Sequence, residues 1–468
     1  MMYNLGRINQ ILPSKCSREE INQGAYIHMA KIQRPIILIR NAFKKLEFNP
    51  EKKRIPKRAL LRFISFIEDL EDPRLESITS YPLTHILFIA FLAIVAGCSN
   101  WTDISLFADL KKRYLKKFLK GYSKAPSHDT FRRVFGLIDP VRFSEAVSAF
   151  LVENLWAMKE ILGIENVGYR LIGVDGKEAN GTGRKSGGDS DSGGIPNLQT
   201  LSIYDVTNAV SLLSVPIDEK TNEIPVAQKY LAEMDLKNCI VTFDALNTQK
   251  DTVKVIAKSG GEYVGGLKGN HELFHGEVKL YFDKETLAAI RKEKKNYYTY
   301  TEKAHNRVEK RVYYLTTDIG WFEDRKKWAN LRAFICYDKT TEDLATGKKT
   351  SERWFYITSL TDVELCADAI RGHWGVESLH WHLDCNFSED GNSTMDKNAF
   401  HNLSSLNKIA LSLYKLMQPT FKGYSIRTLR QAFRLDCEKM ISDLLIILDE
   451  DLLKEAVESS GKLKNHTK

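Results

Sequence analysis

From residue 61 to about 155 the apolar positions recur at helical spacing. Leu61, Ile64 and Ile67 mark one face, and Tyr81-Pro82-Leu83 opens an apolar helix that ends at Gly97. Trp101, Ile104 and Phe107 begin the next, and Ser127-His128-Asp129-Thr130 has the form of an N-cap ahead of Phe131 and Val134. The pattern predicts a small all-helical domain over residues 61–155. Residues 1–60 mix polar, basic and Pro-containing segments around one apolar patch, Ile36-Ile37-Leu38-Ile39, and are expected to be an extension of low order.

At Tyr169 the period changes. Arg170-Leu171-Ile172-Gly173-Val174 is a short apolar run that stops at Asp175-Gly176, as a buried strand delivering an acid at its end would. The Gly- and Ser-rich stretch from Gly181 to Gly194 predicts a loop. Leu198 to Val215 predicts two strands turning at Thr207-Asn208, and Pro225 to Met234 a helix. Cys239-Ile240-Val241-Thr242-Phe243 is a second strand ending in an acid, Asp244, and Glu262 to Lys268 a third. This alternation implies a mixed α/β sheet core. Residues 297–360 are mostly β in pattern, Val363 to about Met417 is helical again, and a last helical segment runs from about Ser425 to Val457. No internal repeat is visible.

A chain of 468 residues exceeds one ordinary core, and 43% hydrophobic content is that of a folded globular protein. Its net charge of +8 is unevenly spread. Lys31 to Leu60 holds ten Lys and Arg against Glu47 and Glu51, and Lys111, Lys112, Arg113, Lys116, Lys117, Lys120 and Lys124 have no acid between them. Such stripes can neutralise nucleic-acid phosphates, which makes residues 1–60 a candidate DNA-contacting arm; a solvated helix face has the same composition. Seven scattered cysteines without a CxxC pair argue against a disulfide scaffold or structural zinc and fit a reducing cytosol. The most apolar stretch, Ile86 to Ala96, is too short to span a bilayer, and no signal peptide is apparent. The expectation is a cytoplasmic, nucleoid-associated protein with no membrane partner.

Two strands ending in aspartate, followed by a helix carrying a glutamate, form a constellation with chemical meaning. If the strands are neighbours, Asp175 and Asp244 sit side by side. On the predicted helix His373, Trp374, His380 and Trp381 stand at i−4, i−3, i+3 and i+4 of Glu377, on one face. Hard oxygen ligands of this kind suit Mg²⁺, and two such ions can serve the attacking water and the leaving oxygen of an in-line displacement. A chain rich in acids also places some at strand ends by chance. The histidines 373, 380 and 382 match no standard zincin spacing, and neither a P-loop nor a GxSxG elbow is present.

Five stretches resemble the insertion-sequence transposases of the H-repeat-associated type, a DDE group with a ribonuclease H-like fold. Leu70-Glu71-Asp72-Pro73-Arg74, Tyr81-Pro82-Leu83, Trp101 and Pro126 to Phe131 resemble the family's helical N-terminal domain. Gly173-Val174-Asp175-Gly176-Lys177 resembles its first catalytic motif, and Asn222-Glu223-Ile224-Pro225 with Val241 to Asn247 the segment up to its second. Leu267-Lys268-Gly269-Asn270 and His305 to Arg311 match the middle; His373 to Glu377, Leu379 to Asp384 and Glu389-Asp390 resemble the third. In order, they cover roughly residues 65 to 415.

The resemblance implies a ribonuclease H-like catalytic domain over residues 166–415 with a β-rich insertion at about 297–360 and a helical tail over 416–468. It makes Asp175, Asp244 and Glu377 the catalytic, metal-binding triad for two Mg²⁺, with Mn²⁺ able to substitute. Lys177, Lys268, Asn270, His305, Arg307, Arg371, His373 and Trp374 become candidates for DNA contact. The separation of 133 residues between Asp244 and Glu377 fits the β-rich insertion of related transposases. The implied activity is cleavage at the ends of the insertion sequence and transfer of the 3′-hydroxyl ends to target DNA. The partners implied are terminal repeats, target DNA and a homodimer or larger assembly. Where the wider group often has Arg four residues before the glutamate and Lys seven after, this chain has His373 and Asp384, and Ser378 stands where asparagine is frequent. A DNA-binding protein without chemistry, or a nuclease that cuts but never joins, would share much of this pattern.

Overall fold

The computed structural model describes residues 35–46, 57–75, 79–165, 168–184, 195–218, 221–304, 306–421 and 423–460. The chain opens with α1 (Pro35–Phe43), α2 (Lys57–Glu68), α3 (Leu83–Val95), α4 (Trp101–Leu110), the single turn α5 (Lys112–Leu115), α6 (His128–Leu137) and α7 (Pro140–Ile161). Local chemistry sets several of the starts. Asn100 and Ser127 accept from the backbone N–H groups of Asp103 and Thr130, and Asp139 accepts from Arg142 N–H with Pro140 in the first helical turn.

Residues 35–43, expected to be of low order, are helical, and they are anchored with Leu46. Ile36, Ile39, Phe43 and Leu46 are buried, Ile36 N–H donates to the Thr207 carbonyl at 3.4 Å, and Arg40 donates to the Gln418 side chain at 3.2 Å. The apolar patch has helical spacing, but the surfaces that cover it lie far along the chain. Residues 1–34 and 47–56, with half of the first basic run, lie outside the described residues.

A nine-stranded sheet follows, in the order β3-β2-β1-β4-β5-β9-β8-β7-β6. β1 (Arg170–Ala179), β2 (Leu198–Asp205) and β3 (Val210–Ile217) form an antiparallel meander. After α8 (Glu223–Glu233), β4 (Cys239–Phe243) pairs parallel with β1; after α9 (Lys250–Lys258), β5 (Glu262–Leu267) pairs parallel with β4. This is the ribonuclease H-like arrangement expected. β1 does not stop at Asp175: paired with β2, it runs on to Ala179. Next come α10 (Glu272–Tyr281), α11 (Lys284–Glu293), β6 (Tyr297–Ala304), β7 (Arg307–Thr316), β8 (Ala333–Asp343) and β9 (Lys349–Thr358). The β-rich stretch is continuous with the sheet, because Phe355–Thr358 of β9 pair with Val264–Leu267 of β5. The outer halves of β7, β8 and β9 overhang the end of β5, with β8 and β9 paired out to Glu342 and Lys349.

The last helices are α12 (Val363–Phe387), α13 (Lys397–Met417), α14 (Ile426–Leu435), α15 (Cys437–Leu448) and α16 (Glu450–Ser460). One hydrophobic core runs from Ile36 of α1 through α3, α7, β2, β3 and α13 to Ala456 of α16. Leu429 and Phe433 are fully buried. Arg430 and Arg434 donate to the carbonyls of Cys98 and Gly97 just beyond α3, at 3.0 and 2.9 Å, supplying donors where a helix end leaves acceptors. A second core on the other face joins Leu171, Ile240 and Val264 to Cys366, Ala369 and Ile370 of α12. α12 lies close to the sheet at Gly375, where a Cβ would stand 2.7 Å from Val206 Cγ1. Val206 cannot withdraw easily, since its N–H donates to the Leu171 carbonyl at 2.9 Å.

Gly375→Val is therefore expected to overpack this contact, costing about 1–3 kcal/mol, measurable as a lower chemical-denaturation midpoint. A pH effect follows from Glu145 of α7, whose carboxyl is pushed up to about 7 by burial and by Asp139 and Glu233. The native state holds this proton after the unfolded chain has released it, so stability falls as pH rises through the ordinary carboxylate range towards 7. Glu145→Gln should raise the melting temperature more at pH 8 than at pH 5; an equal shift at both would show that ionisation of Glu145 is not the cause.

Candidate active site

The parallel pairing of β1 with β4 ends at Val174 opposite Phe243. Asp175 and Asp244 are the next residues of each chain segment, so the two predicted acids stand at one level, Asp244 just past β4 and Asp175 where β1 continues beside β2 alone. They do so at the carboxyl ends of β4 and β5, where open α/β sheets commonly bind ligands. Asp362 starts α12 by accepting from Leu365 N–H at 2.9 Å, and Glu377 stands on this helix. Thr242, Asp244, Gly266, Lys268, Tyr337, Trp354, Tyr356, His373, Trp374 and Glu377 line one cleft. Two histidines of α12 face the acids. His380 Nδ1 lies 3.2 Å from Asp175 Oδ2, and His373 Nδ1 lies 3.1 Å from Thr242 Oγ1. Burial lowers the pKa of His373 even though Asp175, Glu377 and Asp244 all pull it upward, so the fields of all three acids meet at this ring.

A fourth carboxylate joins them. Glu223 stands in the first turn of α8, whose N-cap Asn222 accepts from Ile224 N–H at 3.1 Å. It packs directly on the backbone of Gly176, where any Cβ would overlap its Oε2. The buried Asn247 side chain donates to Glu223 Oε1 at 2.6 Å, and Asn247 N–H donates to Asp244 Oδ1 at 3.0 Å. Burial, then Asp244 and Asp175, push the Glu223 carboxyl up to about 7. Glu223 and Asn247 lie in the stretches 222–225 and 241–247, and the sequence by itself assigns neither a role. His380 is expected from the sequence on the Glu377 face, but not as a partner of Asp175. The signal for Glu223 was an acid one residue after an N-cap asparagine, and nothing local said it would face Asp175.

The predicted contact residues divide. Lys268 is exposed on the cleft rim, and Asn270 donates to the Ala245 carbonyl at 2.6 Å, bracing the turn after Asp244. Trp374 borders the cleft, with Arg371, Lys339 and Arg311 at 4.7, 5.0 and 5.6 Å from its ring centre. Arg307 is exposed at the far end of the overhanging strands, paired in register with Asp343. Asp343 stands six positions along β8 from the cleft residue Tyr337, roughly 20 Å of strand. Trp381, expected on the Glu377 face, is largely exposed and stacks edge-on to His382 instead. His305 lies outside the described residues.

Lys177 differs from expectation. Its Nζ lies 2.7 Å from Asp384, 3.0 Å from Asp390 and 3.5 Å from Glu389, and the side chain is 10% exposed. Burial works against its charge, but Glu389, Asp384 and Asp390 hold its pKa above the usual value. Lys177 thus braces α12 against β1 and has no free face for phosphate. Asp384, which stands where a lysine was expected, meets that lysine from the facing strand.

A cluster of oxygen donors with excess negative charge fits a hard divalent cation. Asp175, Asp244, Glu377 and Glu223 could supply the donors, and the Glu223 pKa is raised first by burial and then by the charges of Asp244 and Asp175. Among the described residues, no three His, Cys, Asp or Glu side chains already stand at ligand spacing.

The transposase DDE domain family matches residues 167–413, and the DDE_Tnp_1-associated domain matches residues 64–151. A Xanthobacter autotrophicus protein of the dhlA 3′ region is 30% identical over 297 residues, spanning 63% of this chain and 94% of that protein. YncI of Escherichia coli O157:H7, a transposase by name, is 28% identical over 366 residues, 76% of this chain and 87% of its own. YhhI of Escherichia coli K12, by name an H repeat-associated transposase, is 27% identical over 379 residues, 80% of this chain and 95% of its own. With more than half its length matched, and that half holding every carboxylate-bearing element of the cleft, the chain belongs to the transposase DDE domain family.

Proposed function

We propose that this transposase cuts DNA at the ends of its insertion sequence and joins the freed 3′-hydroxyls to target DNA, using Asp175, Asp244 and Glu377 to hold two Mg²⁺ or Mn²⁺ ions. The observation that carries this reading is the convergence of acids from β1, β4, α8 and α12 on one cleft edge. Divalent cations, when bound, supply positive charge for the phosphoryl and leaving oxygens of an in-line displacement. The chain's own residues do the rest. The rigid β1–β4 pair keeps Asp175 and Asp244 at a fixed separation, and Asn247 ties Asp244 to Glu223. Glu223 adds negative charge beside the triad and raises its affinity for cations. Lys268 meets a phosphate at the rim, and Trp374 with Arg371 offers a flat cationic surface to a DNA strand. The exposed Lys116, Lys117, Lys120 and Lys124 supply sequence-independent contacts along the duplex. Bringing two ends together requires two copies of the chain on DNA.

The test is a DNA fragment carrying this gene with its native flanks, incubated with wild-type protein or Asp244→Asn, in Mg²⁺ or in chelator. Cuts at the flanking repeats that leave 3′-hydroxyls, need metal and vanish in the variant are expected. Folded wild-type protein that binds this DNA with salt-sensitive affinity and never cuts it would overturn the reading in favour of binding alone. Independently of DNA, Mn²⁺ should raise the wild-type melting temperature, and chelator should cancel the rise. Glu223→Gln should shrink that rise, with cation affinity weaker by roughly ten-fold.

A further inference from the structure

Behind Asp175 the sheet carries a polar row where an apolar face would ordinarily continue. The register sets Asp175 of β1 opposite Ser202 of β2, and Ser202 opposite Ser214 of β3. Residues directly opposite across antiparallel strands share a face. Ser202, Ser214 and Lys408 of α13 are all buried. Lys408 Nζ donates to Ser202 Oγ at 3.1 Å and to Ser214 Oγ at 2.6 Å. His380 of α12 bridges onward, with Nε2 3.4 Å from Ser202 Oγ and Nδ1 3.2 Å from Asp175 Oδ2. Among the described residues no carboxylate lies within ion-pair distance of Lys408. The acid that most influences it, Glu389, is paired with Lys177. Burying an ammonium against two hydroxyls is costly, and an apolar side chain would fill the same space more stably.

The hydrogen count gives the row a direction. Lys408 only donates, so Ser202 Oγ accepts from it and has one proton to give. Given to His380 Nε2, that proton leaves a neutral ring with its own proton on Nδ1, facing Asp175. The opposite tautomer would set the Nδ1 lone pair against a carboxylate oxygen. We propose that Lys408 is a positioning residue for Asp175: through Ser202 it fixes the Nδ1–H tautomer and ring plane of His380, which holds Asp175 Oδ2. The final consequence, that the other oxygen of Asp175 is left to a cation, rests on the function proposed above; the tautomer does not.

The experiment uses the full, metal-free chain with ¹⁵N-labelled histidine, the His380 signals being identified by their loss in His380→Gln. Wild-type protein is expected to show the Nδ1–H tautomer. Ser202→Ala, which removes one oxygen, should release the ring to a mixture of tautomers, and Lys408→Met should do the same. Mn²⁺ affinity should fall by roughly ten-fold in Ser202→Ala, as for other residues that orient a ligand, and Ser202→Ala should add nothing in the His380→Gln background. An Nε2–H or doubly protonated ring in the wild type, or a tautomer unchanged by Ser202→Ala, would overturn the proposal. Wild-type protein that binds no Mn²⁺ would overturn the proposed function instead, and the tautomer would still decide this one.

Discussion

Carboxylates brought together where water is scarce repel one another, and the fold has to supply the work of holding them there. Asp175 and Asp244 stand on neighbouring strands, Glu223 packs on the Gly176 backbone between them and Asn247, and Glu377 comes from a helix laid over the sheet. None of these attachments is a flexible loop tip. The parallel β1–β4 ladder, a capped helix start and a close helix–sheet contact at Gly375 each remove a way for the acids to move apart. Repulsion of this kind is what the cations of the proposed function would relieve.

The positive charge near the cluster is sorted by depth. Lys177 and Lys408 lie inside, committed to the Asp384–Glu389–Asp390 group and to the two serines. Lys177 braces α12 against β1, Lys408 meets the polar row behind Asp175, and neither is among the cleft-lining residues. Lys268, Arg371 and Lys339 lie at the rim, the last two against the Trp374 ring. At the rim, Arg371 and Lys339 are paired with Glu302 and Glu309 at 3.8 and 3.2 Å, and Lys268 is exposed. That division explains why a lysine one residue from the first motif's glycine turned out to be a brace.

The overhang of β7 to β9 beyond β5 makes one wall of the cleft, through Tyr337 and Trp354, and carries Arg307 outward. Because β9 pairs with β5, this wall moves as part of the sheet. The same economy joins the two ends of the chain: α14 covers the carbonyls beyond α3, and a single core runs through α1, the first helices and α13. The elements that bear acids therefore share their packing with those that bear the exposed lysines of the helical region.

Much of this was legible in the chain itself. Short apolar runs ending in acid marked β1 and β4, the 3.6 period marked α12, and the spacing of the motifs pointed to the family, because these are local patterns that burial imposes on sequence. The helix at residues 35–43 carried its apolar stripe in plain view. Its order, though, depends on Thr207 and Gln418, which only the folded chain brings near. Glu223, His380 and Ser202 were equally out of reach: which acid, ring or hydroxyl faces Asp175 depends on strand register and helix rotation, and neither is written in any single segment. Sequence determined the elements and the acids at their ends. Tertiary structure alone decided which charges meet and which lysine is buried, because electrostatic partnership depends on distance through space and not along the chain.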